Sequence, residues 1–118
     1  TPADVALLRQ RIEEQRAAMS THDEFLARDM AFHREVALLS GNPIYPAIVE
    51  AIFEWASAWY QPMVRAPGAE SLTLEEHARL VDAIEARDPD AAEAAMRAHL
   101  SRSNERYRSL MRAPAGAQ

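Results

Sequence analysis

Apolar residues recur at intervals of three and four along most of this chain, the period of helices that bury one face. Val5, Leu8, Ile12 and Met19 mark the first stripe. Thr1-Pro2-Ala3-Asp4 ahead of it predicts a helix start: a Thr cap, Pro at the first helical position and an acid three residues after the cap. Arg9, Arg11, Glu13, Glu14 and Arg16 fall on the opposite, solvated face. A polar break over Ser20 to Asp23 precedes a second helix, predicted from about Glu24 to Ser40 and stopped by Gly41.

Asn42-Pro43 restarts the chain as N-cap and first helical residue. The third helix runs through Ile48, Ile52, Trp55, Ala56 and Trp59 until Pro62 ends or kinks it. Arg65 to Glu70 reads as the longest loop. Thr73-Leu74-Glu75-Glu76 then reads as a second capping box, followed by His77, Leu80, Val81 and Ile84 at helical spacing. Asp88-Pro89-Asp90 ends that helix and caps a fifth, from about Pro89 to Arg112. Its apolar face holds Ala92, Ala95, Met96, His99, Leu100, Ser103, Tyr107 and Leu110, and Ala113 to Gln118 reads as a frayed tail. No strand-like alternation of any length occurs. The expectation is one all-α domain over residues 1–118, an antiparallel bundle of about five to six helices with short loops.

Composition narrows the function. With 118 residues the chain is long enough for one core and too short for two. A formal charge of −5 gives no electrostatic case for nucleic-acid binding by this segment. No cysteine is present, so disulfides and thiolate sites are excluded and any metal must use nitrogen and oxygen ligands. No apolar run approaches the roughly 20 residues of a membrane span, and residues 1–19 are too charged for a signal peptide, so a cytoplasmic location is the expectation.

The unusual feature is what the apolar stripes carry. Asp29 and His33 lie four residues apart, on the helix face that also holds Phe25, Phe32 and Val36. Two later helices each place a histidine on their own stripe, His77 and His99. A lone histidine on such a stripe is usually a packed, hydrogen-bonded residue. Three of them with a carboxylate, on core positions of three helices, form a metal-ligand set instead. Arg28 and Arg34 project from other faces and are poorly placed to pair with Asp29. Zn²⁺ or Ni²⁺ suits such a set best, and Mn²⁺ or Fe²⁺ is compatible with it. His22 falls off every stripe and reads as a surface residue. Ser103, one turn beyond His99, and the nearby Asn104 and Arg106 are the local candidates to contact a small anion at the metal. Little else for catalysis is present: no glycine-rich phosphate loop and no H-E-x-x-H pair. A small metalloenzyme using an open metal position, a purely structural metal and a metal-free histidine cluster stand as the competing readings.

An ordered series of short motifs carries a resemblance. Asp29-x-x-Phe32-His33 is followed by Ser40-Gly41-Asn42-Pro43, then Glu76-His77-x-x-Leu80-x-x-Ala83-Ile84, Asp88-Pro89-x-Ala91-Ala92 and Met96-x-x-His99-Leu100. The chain resembles the C-terminal FCD domain of GntR-family transcription regulators, the FadR-like subfamily. The resemblance implies an all-helical domain for effector sensing and homodimerisation, not an enzyme. It also implies operator DNA binding through an N-terminal winged helix-turn-helix that is not in this chain. Many members hold a divalent metal with one Asp and three His, which fall here on Asp29, His33, His77 and His99. Their usual effectors are small organic acids whose carboxylate meets that metal. The family's first sensing-domain helix, which often supplies an Arg to the pocket, is expected to precede Thr1.

Overall fold

The computed structural model describes residues 1–59 and 68–112, apart from the side chains at 59, 103, 104, 106, 107, 110 and 111. The described residues form helices α1 (Pro2–Ala17), α2 (His22–Leu38), α3 (Ile44–Trp59), α4 (Ala69–Glu85) and α5 (Pro89–Arg112). No strand occurs among them. The fold is all-α, as the spacing predicts.

Local chemistry sets most of the boundaries. The Thr1 hydroxyl accepts the Asp4 N–H, and the Asp4 carboxylate returns a bond to the backbone of Thr1, closing a capping box. Gly41 follows α2 at φ +76°, a left-handed conformation that favours glycine. Asn42 Oδ1 accepts the Ile44 N–H at 3.1 Å and Asp88 Oδ1 accepts the Ala91 N–H at 3.0 Å, so both expected caps form. The end of α4 closes with the Asp88 N–H on the Ala83 carbonyl and the Arg87 N–H on the Ile84 carbonyl. That closure puts Arg87 at φ +56°.

Two expected starts move. Helix α2 begins at His22 rather than Glu24. Helix α4 begins at Ala69, after Gly68 at φ +77°, so Thr73 is not a cap. It lies a turn inside the helix and is buried. Glu70, expected in the loop, is already helical. The T-x-x-E spacing that makes a capping box also puts both side chains on one helix face, and here that face meets α5. The expected stop at Pro62, the remainder of the expected loop and the tail from Ala113 lie outside the described residues.

Helix α1 packs against α2 and α4, α2 against α3, and α4 against α5. Leu8, Ile12, Phe25, Phe32, Leu74, Leu80 and Val81 form the core, with Val5, Val36, Ile84 and Met96 packed around them. Met19 of the first stripe and Leu100 of the last stay out of it, 37% and 54% exposed. Helix α3 packs on α2 and leaves Ile44, Tyr45, Ile48, Ile52 and Trp55 between 46% and 57% exposed, an apolar face turned outward. Among the described residues no helix is long and apolar enough to cross a membrane.

Candidate metal centre

The stripe periodicity of α2 points Phe32 and His33 inward, and the next turn back adds Asp29 to the same face. The stripe of α4 does the same for His77, between buried Leu74 and Leu80. Helix α5 supplies His99, buried one turn beyond Met96. One ligand nitrogen from each of His33, His77 and His99 falls within 4.8 Å of the others. His99 Nε2 faces His33 Nε2 at 3.4 Å. Asp29 Oδ1 stands 3.5 Å from His33 Nε2 and 3.3 Å from His77 Nε2. The arginines beside Asp29 are engaged elsewhere: Arg28 with Glu24 and Glu14, Arg34 with Glu50. The four residues singled out in the sequence therefore do meet.

Two bonds from outside the cluster set the direction of its lone pairs. His77 Nδ1–H donates to Gln15 Oε1 at 2.9 Å, and His99 Nδ1–H donates to Glu76 Oε1 at 2.9 Å. Both acceptors hold the ring proton on the outer nitrogen, so Nε2 of each ring presents its lone pair inward. Glu76 is held in turn by Arg102, whose guanidinium donates to both its oxygens and to Thr73 Oγ1. Phe32 stacks on His77 with centroids 4.1 Å apart, and Phe53 lies against His33 at 5.4 Å. These rings wall the cluster with apolar surface.

Electrostatics follow from this burial. Burial pushes the His77 imidazole down to about 3, partly opposed by the Asp29 carboxylate, so the ring is neutral at pH 7. Burial raises Asp29, but the neighbouring imidazoles outweigh it and leave the carboxyl below its ordinary value. Glu76 behaves alike: burial raises it, while the bonds from Arg102 and His99 bring it below the usual range.

The donor set can be tested against a metal ion on its own geometry. Asp29 Oδ1 and His77 Nε2 are buried atoms without a hydrogen-bond partner. Leaving such groups unmet costs on the order of 1–3 kcal/mol each, more for a carboxylate. Donors sharing one ion at about 2.0–2.1 Å stand roughly 3 Å or slightly more from their neighbours. The separations of 3.3, 3.4 and 3.5 Å match that spacing. A neutral His77 and an ionised Asp29 are the protonation states a cation needs. The residues fit a divalent ion.

Four participants escaped the sequence reading: Gln15, Thr73, Glu76 and Arg102. Gln15 occupies a stripe position of α1 with Leu8 and Ile12, which was the available signal. Glu76 and Thr73 were absorbed into a capping box that does not form. The side chains of Ser103, Asn104 and Arg106 lie outside the described residues. His22 is half-buried, with a covered Nε2 that makes no hydrogen bond, so it is not the surface residue expected.

Comparison with known proteins identifies relatives of the chain. The model of the FCD domain matches residues 1–102. The chain is 35% identical over 115 residues to the HTH-type transcriptional repressor NanR of Citrobacter rodentium, covering 93% of this chain and 43% of that protein. The NanR of Cronobacter sakazakii is 34% identical over 106 residues, covering 86% of this chain and 40% of its own length. The chain thus spans about two fifths of the curated relatives it matches. No solved structure matches.

Proposed function

This chain belongs to the FCD-domain family of GntR-type transcription regulators, and on that premise we propose that it senses a small organic acid through a divalent ion held by Asp29, His33, His77 and His99. The family makes it a regulatory domain rather than an enzyme. The observation that carries the metal reading is the convergence of inward lone pairs on two buried polar atoms that lack hydrogen-bond partners, Asp29 Oδ1 and His77 Nε2. Zn²⁺ or Ni²⁺ suits this donor set, with Mn²⁺ and Fe²⁺ binding more weakly by the usual order of divalent affinities.

When bound, the ion supplies a positive centre to which an effector carboxylate can bind. The rest is done by the chain. Asp29 and His33 come from α2, His77 from α4 and His99 from α5, so occupancy ties three helices together. Phe32 and Phe53 exclude water from the imidazoles. A groove of about 310 Å³ between α2 and α3 is lined by Leu26, Met30, Phe53 and Ser57 among others, and the Phe53 ring that lines it also lies against His33. That volume is at the low end of small-molecule pockets. Asp23 and Glu54 also line it, and their charge opposes a free anion there. The groove therefore suits the uncharged part of an effector.

Effector binding favours one packing of the bundle over another, and the shift reaches operator DNA through an N-terminal helix-turn-helix domain outside this chain. The outward apolar face of α3 supports pairing with a second copy, which makes the domain a homodimer. The test is a thermal-shift screen of organic acids with and without added Zn²⁺ or Ni²⁺. An acid that stabilises only when the ion is present is the expected result. Acids that act equally well in the presence of chelator would sink the metal-mediated reading.

A further inference from the structure

Gln15 is 0% exposed, on a stripe of α1 otherwise given to Leu8 and Ile12. An amide at such a position is costly unless its polar atoms are met. Only one of them is: Oε1 accepts the His77 Nδ1–H at 2.9 Å, while Nε2 has no partner. A leucine would fill the same stripe without that penalty, so packing alone does not account for the residue.

The bond matters because His77 has two competing proton positions. With the proton on Nε2, the ring would turn an N–H and no lone pair toward the cluster and Asp29 Oδ1, 3.3 Å away. With the proton on Nδ1, the ring donates to Gln15 and keeps Nε2 free for a cation. We propose that Gln15 is a positioning residue for the metal centre, fixing His77 as the Nδ1–H form and thereby binding α1 to a site whose ligands all come from α2, α4 and α5. This rests on the metal-binding reading above. Gln15 does for His77 what the Glu76 carboxylate does for His99, but with a neutral acceptor, so the cluster gains an oriented ring without a third buried charge beside Asp29. Partners of this kind typically set metal affinity by about 10- to 100-fold.

Two measurements test this on the full chain. Long-range ¹⁵N–¹H spectra of the metal-free protein should show His77 protonated at Nδ1, and a shift toward the Nε2–H form in Gln15→Met. An Nε2–H ring in the wild-type protein would overturn the inference whether or not a metal binds. Competition titration with Zn²⁺ against a chromophoric chelator should show Gln15→Met weakened about 10- to 100-fold, with Gln15→Glu, which keeps an acceptor, restoring binding. Equal affinity of the Met variant and wild type, while His77→Ala loses the ion, would refute the positioning role and leave the metal reading standing. A wild-type protein that takes up no Zn²⁺ would remove the metal reading itself. Should Gln15→Met fail to fold, the wild-type spectrum and the Glu variant decide.

Discussion

Asp29 Oδ1 and His77 Nε2, from helices α2 and α4, face each other across 3.3 Å, and neither atom makes a hydrogen bond. A cation between them removes both penalties at once. Adding Zn²⁺ to metal-free protein should therefore raise its melting temperature. The gain corresponds to about 4 kcal/mol when the free ion is at 1,000 times its dissociation constant. Asp29→Asn and His99→Ala should each lose most of this shift, and His22→Ala should keep it. Metal analysis of the purified variants is the accompanying check. A His22 variant as damaged as His99→Ala would show that the ligands are wrongly assigned.

The pH dependence of the metal-free protein has a definite sign. His77 titrates at about 3 in the folded chain because burial disfavours its charged form, against about 6.5 when exposed. Between these values the unfolded chain binds the proton and the folded chain does not, so stability rises with pH through this window. The slope from this one group is at most about 1.4 kcal/mol per pH unit. Urea unfolding in chelator at pH 4.5, 5.5 and 7 measures it. The trend should flatten in His77→Phe, and an unchanged slope in that variant would mean that another group controls the transition.

Arg87 carries a cost that substitution can relieve. It adopts φ +56° to let the Asp88 and Arg87 N–H groups close the end of α4. A side chain in that conformation is disfavoured by about 1 kcal/mol relative to glycine. Arg87→Gly should keep the turn and stabilise the protein by up to that amount, read as a higher urea midpoint. Destabilisation would mean that the Arg87 side chain contributes more than its backbone costs.

The outward face of α3 predicts an assembly. Ile48 and Ile52 are one turn apart and 46% and 55% exposed. If that face pairs with a second copy, Ile52→Glu places a charge in the contact and should shift the protein toward monomer in light scattering at micromolar concentration. The helix content by circular dichroism should stay the same, since the side chain lies outside the bundle core. An Ile52→Glu protein with the wild-type mass would place the dimer contact elsewhere.

Much of this was legible in the residues themselves. A period of three to four fixed the five described helices, and Thr1, Gly41, Asn42 and Asp88 fixed several of their ends, because caps act over one turn and need only neighbours in the chain. The inward placement of Asp29, His33, His77 and His99 follows from the same period. What the chain order could not supply was the assignment of long-range partners. Thr73 and Glu76 fit a local cap equally well, and only the approach of α5 gives them to Arg102 and His99. Gln15 lies 62 residues from His77, and nothing in either helix alone marks the bond that joins them. Periodicity determines which face of a helix turns inward. Which side chains then meet depends on the packing of one helix against another, and that packing oriented the lone pairs at the centre of this domain.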